Sequence, residues 1–348
     1  MEARMSKRLF GTTKDGKEVY AFTLTNSNKM QAEIINYGCI LTKLLVPDAD
    51  GKVEDIVLGF DELAPYEVNP SFFGAVIAPS ANRIKDAKFT IDGVEYNVDV
   101  NDGPNNLHSH IDLGAHKKVW DYEEGSNFVK FTYEHKDKEI GFPGNIKFTM
   151  TYTLTEKNEL VLHYHAVSDK NALINPTNHS YFNLAGANSG KSILNHVLKL
   201  NASNYTPVVE GAIPTGEIAT VKGTVMDFTN GRRVGDDIDD NFKQLVLTGG
   251  YDHNFVVDGY DKTVKHIATV TTPDAKRQMD VYSDLPGVQF YAGNFIADQT
   301  GKGGAKYSKR SALCLETQFY PDTIHNANFP SCVFGPGNDY DSETIYKF

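Results

Sequence analysis

Two short stretches carry side chains that could move protons. In Asn175–Leu184 (NPTNHSYFNL), His179 stands between Asn178 and Ser180 and is followed by Tyr181 and Phe182. In Leu313–Pro321 (LCLETQFYP), the period of two along a strand turns Ala312, Cys314, Glu316 and Gln318 to one side and Leu313, Leu315 and Thr317 to the other. Glu316 then stands among small neighbours that leave room for a ligand. Imidazole and carboxylate are the side chains that general acid–base catalysis near neutral pH most often employs. Hydrogen-bonding groups mixed with flat apolar faces, as around His179, suit a sugar ring.

Singly, neither residue decides anything. A strand glutamate is most often solvent-facing, and a lone histidine is most often satisfied inside a turn. The weight rests on the constellation. Polar side chains set among small or aromatic residues recur in Ser80–Ile84 (SANRI) and in Asn105–His108 (NNLH). They recur less sharply in Gly249–Phe255 (GGYDHNF) and Pro286–Asn294 (PGVQFYAGN). Pro321, just past the Glu316 strand, marks a sheet rim.

Other chemistries lack support. His163 and His165 share one strand face, but the sequence shows no carboxylate or thiol beside them, so no metal site is expected. The acidic run Asp236–Asn241 lacks the spacing of a calcium loop and reads as solvated. Gly301–Lys306 (GKGGAK) lacks the phosphate-loop spacing and reads as a flexible surface loop, and no GxGxxG follows a strand.

The elements that must hold these residues alternate with period two. In Lys147–Val167, Phe148, Met150, Tyr152 and Leu154 alternate with threonines. After a polar turn, Leu160, Leu162, Tyr164 and Ala166 resume the pattern, which predicts a hairpin with a threonine-rich outer face. Shorter alternations occur at 20–24, 30–34, 129–133, 267–271 and 288–291, and no helical period lasts three turns. Many short strands without regular helices between them predict an all-β, antiparallel sandwich or barrel. The polar stretches Gly231–Asn241 and Asp298–Lys306 are too short to be linkers, so residues 1–348 read as one domain.

With 40% hydrophobic and 23% charged residues, the chain can bury a large core. Its net charge of -11 disfavours nucleic acid and anionic membrane surfaces, so a neutral or cationic partner fits better. The apolar run Phe72–Ala78 is far shorter than the roughly 20 residues of a membrane span. Met1–Phe10 has charges but no apolar centre, and three cysteines, Cys39, Cys314 and Cys332, make no disulfide framework. A cytoplasmic protein, monomeric or homodimeric, is expected.

In order along the chain, ANRI, NNLH, NPTNHSYFNL, GYDHNF, PGVQFYAGN and ALCLETQ resemble the motifs of the galactose mutarotases, or aldose 1-epimerases, over about Asn82–Pro321. NHSYFNL and LETQ are the specific blocks. The resemblance implies a large antiparallel β-supersandwich with sugar in an open cleft and no cofactor. It implies that His179 is the general acid, Glu316 the general base and His108 a second active-site histidine. Asn82, Arg83, Asp252 and Gln289 match sugar-binding positions, and Tyr181 lies in the His179 block. The family often has LHGG where this chain has Leu107, His108, Ser109 and His110, and often has an arginine near Ile77–Ser80; both differences bear on sugar preference. The expected reaction exchanges the α and β anomers of galactose, glucose or maltose. A glycoside hydrolase using Asp252 and Glu316 and a non-catalytic sugar-binding module are the competing readings.

Overall fold

The computed structural model describes residues 4–348; of the amino-terminal segment Met1–Phe10, Met1–Ala3 lie outside them. The threonine-alternating stretch forms the predicted hairpin, Ile146–Leu154 against Glu159–Ser168, with Thr149 opposite His165 and Tyr152 opposite Leu162. Phe148, Met150, Tyr152, Leu154, Leu160, Leu162, Tyr164 and Ala166 are buried, while the threonines between them keep partial contact with water. β-Branched residues suit such a half-buried pleated surface.

This hairpin lies within a nine-stranded sheet. Tyr340–Lys347 pairs on one side with Glu159–Ser168 and on the other with Gln278–Ser283, so the last strand in sequence is interior to the sheet. A five-stranded meander, Arg4–Thr12 through Val53–Asp55, forms a second layer. A third sheet orders Ala219–Thr220, Asn204–Tyr205, Asp252–Val256, Gly287–Tyr291 and Cys314–Gln318. Every strand ladder that pairs these elements is antiparallel. Helix is limited to short pieces such as Leu63–Val68 and Lys243–Thr248. The architecture is the expected all-β, antiparallel one.

The main core runs from Phe22 to Tyr346 in sequence and fills the space between layers. A smaller cluster that includes Phe73, Tyr181, Tyr291 and Cys314 underlies the third sheet. Two loops differ from expectation. Gly231–Asn241 contributes Arg232–Arg233 as an edge strand. In the GKGGAK segment Lys302 is 3% exposed, and its ammonium donates to the Thr42 carbonyl at 2.7 Å and to Asp55 Oδ2 at 2.6 Å. The glycines there bend the chain so that the lysine points inward, which anchors the segment.

Candidate active site

Strand register assembles the polar floor of a cleft. Opposite partners in an antiparallel pair share a face, and Asn254 stands opposite Gln289, which stands opposite Glu316. In the row on one side Asp252 faces Tyr291, which faces Cys314, and in the row on the other side Gly287 faces Gln318. The amides are knit together: Gln318 Nε2 donates to Asn254 Oδ1 and Gln289 Oε1 at 3.1 Å each, and Gln289 Nε2 donates to Asp252 Oδ1 at 2.7 Å. All five residues of Cys314–Gln318 are buried, so Glu316 is not a solvent-facing strand residue.

His179 comes from beyond the short strand Thr177–Asn178, which pairs with Val76–Ile77. Its N–H donates to the Ala75 carbonyl at 2.8 Å, and its carbonyl accepts from Gly74 N–H at 3.0 Å. The ring stacks on Tyr181, centroids 5.0 Å apart and planes at 15°, and on Phe72 at 5.9 Å and 18°. Nε2 lies 3.7 Å from Glu316 Oε1, too far for a direct hydrogen bond. Glu316 Oε2 is buried without a partner among the described residues. Cys314 Sγ lies 3.5 Å from His179 Nδ1, behind the ring.

The opposite wall is Asn82, Arg83 and His108. Asn82, at φ +61°, donates its N–H to His108 Nδ1 at 3.1 Å and accepts the His108 N–H at 3.0 Å; His108 itself is at φ +55°. Left-handed backbone at non-glycine residues tends to gather at functional sites. Arg83 Nε donates to Asp102 Oδ2 at 2.8 Å. The two places where the motifs depart from the family pattern touch: Ser109 Oγ donates to the Ser80 carbonyl at 2.8 Å and accepts the Ser80 N–H at 2.9 Å.

One cavity of about 170 Å³ is lined by all eight residues singled out from the sequence, Asn82, Arg83, His108, His179, Tyr181, Asp252, Gln289 and Glu316. Leu107 and Tyr291, inside the NNLH and PGVQFYAGN stretches but given no role there, also line it, as do Phe72 and Phe295, which escaped the sequence reading. Phe72 sat in a run read only as apolar, and Phe295 follows the PGVQFYAGN block by one residue. The contact of Cys314 with His179 has no signal in the sequence, because it joins two distant strands.

Burial sets the protonation of the cavity. It pushes the Glu316 carboxyl well above its usual range, the Asp252 carboxylate adds to this, and Arg83 opposes it. It holds His179 down at about 4. His108 is driven well below its ordinary value by burial, with His179 and Arg83 adding to the effect. Asp252 is raised by burial, opposed by Arg83 and the Gln289 hydrogen bond.

His108, His179 and Glu316 bring ligand atoms within 4.8 Å of one another, as a metal site would. The Asn82 N–H on His108 Nδ1 places the proton of the neutral ring on Nε2, which disfavours ligation from Nε2 and favours donation to an oxygen. Elsewhere, the carboxylate expected to be missing near His163 and His165 is present: Asp341, from the facing strand, lies 3.1 Å from each ring.

A family model described as aldose 1-epimerase matches residues 20–347. The chain is 40% identical over 346 residues to galactose mutarotase from Bos taurus, covering 99% of this chain and 98% of the relative. It is likewise 40% identical over 348 residues to galactose mutarotase from Homo sapiens, covering 99% of each. The crystal structure of galactose 1-epimerase from Lactobacillus acidophilus NCFM matches with a TM-score of 0.85 at 27% identity, over 99% of this chain and 98% of that one. Fold and relatives together define a carbohydrate isomerase on the galactose mutarotase-like scaffold. The chain belongs to the aldose 1-epimerase family.

Proposed function

We propose that the cavity interconverts the α and β anomers of a free aldose by opening and reclosing the sugar ring. The observation that carries this reading is the buried pair His179 Nε2 and Glu316 Oε1, 3.7 Å apart in one cavity, with Glu316 Oε2 unpartnered. Glu316 takes the C1 hydroxyl proton while His179 protonates the ring oxygen. The C1–O5 bond breaks, leaving a C1 carbonyl and a free O5 hydroxyl. After rotation about C1–C2 the transfers run backwards and the ring closes on the other face.

Two arrangements hold the same single proton: carboxylate with imidazolium, and carboxylic acid with imidazole. Burial favours the neutral one, which is the arrangement reached once the ring has opened. Arg83 and the sugar hydroxyls favour the charged one, which starts the cycle. His108 Nε2–H and Arg83 stabilise the oxygen that becomes a carbonyl, Asn82, Asp252 and Gln289 orient hydroxyls, and Tyr181 supports the His179 ring.

Residues 1–348 act as one domain, a reading supported by a core whose members run from Phe22 to Tyr346. The substrate is galactose, glucose or maltose, met free in the cytoplasm by a monomer or homodimer. Among the described residues no helix is long and apolar enough to cross a membrane, and the net charge of -11 disfavours an anionic ligand, which a free sugar is not.

Polarimetry on freshly dissolved α-D-glucose, α-D-galactose and maltose tests this. Glu316→Gln and His179→Asn should each lower turnover by at least about 100-fold. Wild-type turnover in either variant refutes that residue's role, and release of new reducing ends from an oligosaccharide would instead mark a hydrolase.

A further inference from the structure

Anomer exchange in this cavity needs one tautomer of His179. Nε2 gives a proton to the ring oxygen and later takes one back from the free O5 hydroxyl. Whenever the imidazole is neutral Nε2 must therefore be bare, and the proton that stays on the ring must sit on Nδ1. The hydrogen bond made at one ring nitrogen decides where that proton sits.

Among the described side chains, the group at Nδ1 is the Cys314 sulfur, at 3.5 Å. Cys314 and Glu316 are alternate residues of the strand Cys314–Gln318, so they share a face about 7 Å apart. The His179 ring bridges them, with Nε2 3.7 Å from Glu316 Oε1 and Nδ1 on the sulfur. Cys314 is fully buried in the cluster that holds Tyr181 and Tyr291, outside the lining of the cavity. Burial raises its thiol far above the usual range, with Glu316 and Asp252 adding to the effect, so the sulfur stays neutral. An imidazolium has no lone pair, so in that state Nδ1–H donates and the sulfur accepts. Keeping the same bond in the neutral state needs no rearrangement. The His179 backbone works in the same direction, because its hydrogen bond with the ring favours the protonated form and Nδ1 is the nitrogen nearer the main chain. His108, whose ring centre is 5.2 Å from that of His179, is set the other way by a donor at its Nδ1, the Asn82 N–H.

We infer that Cys314 is a positioning residue that holds His179 in the Nδ1–H tautomer and leaves Nε2 bare for the O5 proton. This rests on the epimerase reading of the cavity. The sulfur touches no sugar and acts through the ring. A neutral thiol is a weak acceptor, so it fixes the place of the proton without the rise in basicity that a carboxylate would bring, and His179 remains a strong acid.

The tautomer can be read directly. Long-range proton–nitrogen NMR on the full chain, carrying isotope-labelled histidine, separates Nδ1–H from Nε2–H, and the His179 pattern is the one that His179→Asn removes. At neutral pH without sugar, wild type should show Nδ1–H; an Nε2–H pattern overturns the inference. Cys314→Ala should move His179 towards Nε2–H and lower kcat about tenfold, the worth of one net hydrogen bond, with KM unchanged. Cys314→Ser, whose hydroxyl also accepts, should restore both. An unchanged tautomer in Cys314→Ala overturns the inference whatever the rate does, and so does a shifted tautomer with wild-type kcat. A wild type that shows Nδ1–H yet accelerates no sugar refutes the epimerase reading alone.

Discussion

The His179 ring packs against Tyr181 and Phe72 with the Cys314 sulfur at Nδ1, and of its described surroundings the Glu316 carboxyl, 3.7 Å from Nε2, is the group placed to stabilise an imidazolium. With Glu316 raised and His179 held down at about 4, the pair carries one proton across a wide range. A second proton arrives only as the pH falls through about 4. The anomerase kcat/KM, taken on folded protein, should therefore stay level below 6.5 and drop near 4. A break at 6–7 in protein shown to be folded by circular dichroism would mean that His179 charges at its ordinary value. Residue identity was legible in the sequence because His179 and Glu316 sit in unusual company, polar groups among aromatic and small residues. What could not be read was protonation, which depends on burial by strands far away in sequence.

The element that most directly aims His179 is the turn Phe72–Ala75 beside it. Gly74 sits at φ +68°, and an added Cβ would meet the Leu41 carbonyl oxygen at 2.3 Å. The same residue donates to the His179 carbonyl and accepts from the Leu41 N–H and from Asn178 Nδ2. Gly74→Ala should cost about 1–2 kcal/mol in left-handed strain and more in the displaced contact. Tm and turnover should both fall, as thermal unfolding and polarimetry would record; an unchanged Tm would show that the turn yields freely. Strands were readable from period two, as in the hairpin 146–168. Register between Asp252–Val256, Gly287–Tyr291 and Cys314–Gln318 was not, because each partner is chosen by the whole sheet. The GKGGAK segment shows the same limit, since its composition says loop and only the position of Asp55 says anchored.

Across the whole molecule, burial keeps several histidines neutral. His116 and His253 are held down at about 3 and His179 and His196 at about 4, in each case chiefly by burial. In the unfolded chain each charges near 6.5. Between about 4 and 6.5 the unfolded state binds more protons, so stability falls as the pH drops through that window, by up to about 1.4 kcal/mol per unit for each histidine. Glu316 and Asp252, both raised by burial, work in the opposite direction. His108 and His135 are also lowered chiefly by burial, while Asp284, raised by burial, and His325, raised by its Asp322 hydrogen bond, join the opposing groups. Six lowered histidines against four raised groups leave a net loss, and Tm should be lower at pH 5 than at pH 7 in a calorimetric scan. An equal or higher Tm at pH 5 would refute this balance. The all-β class and the family were legible from the sequence alone, whereas the interior place of Tyr340–Lys347 in the nine-stranded sheet was not. That place matters on the ribosome. Tyr340–Lys347 is synthesised after both of the strands it joins, so Glu159–Ser168 and Gln278–Ser283 wait as bare edges until it emerges. During that interval the largest sheet is two incomplete halves, and the nascent chain must be kept from its neighbours until the keystone strand emerges.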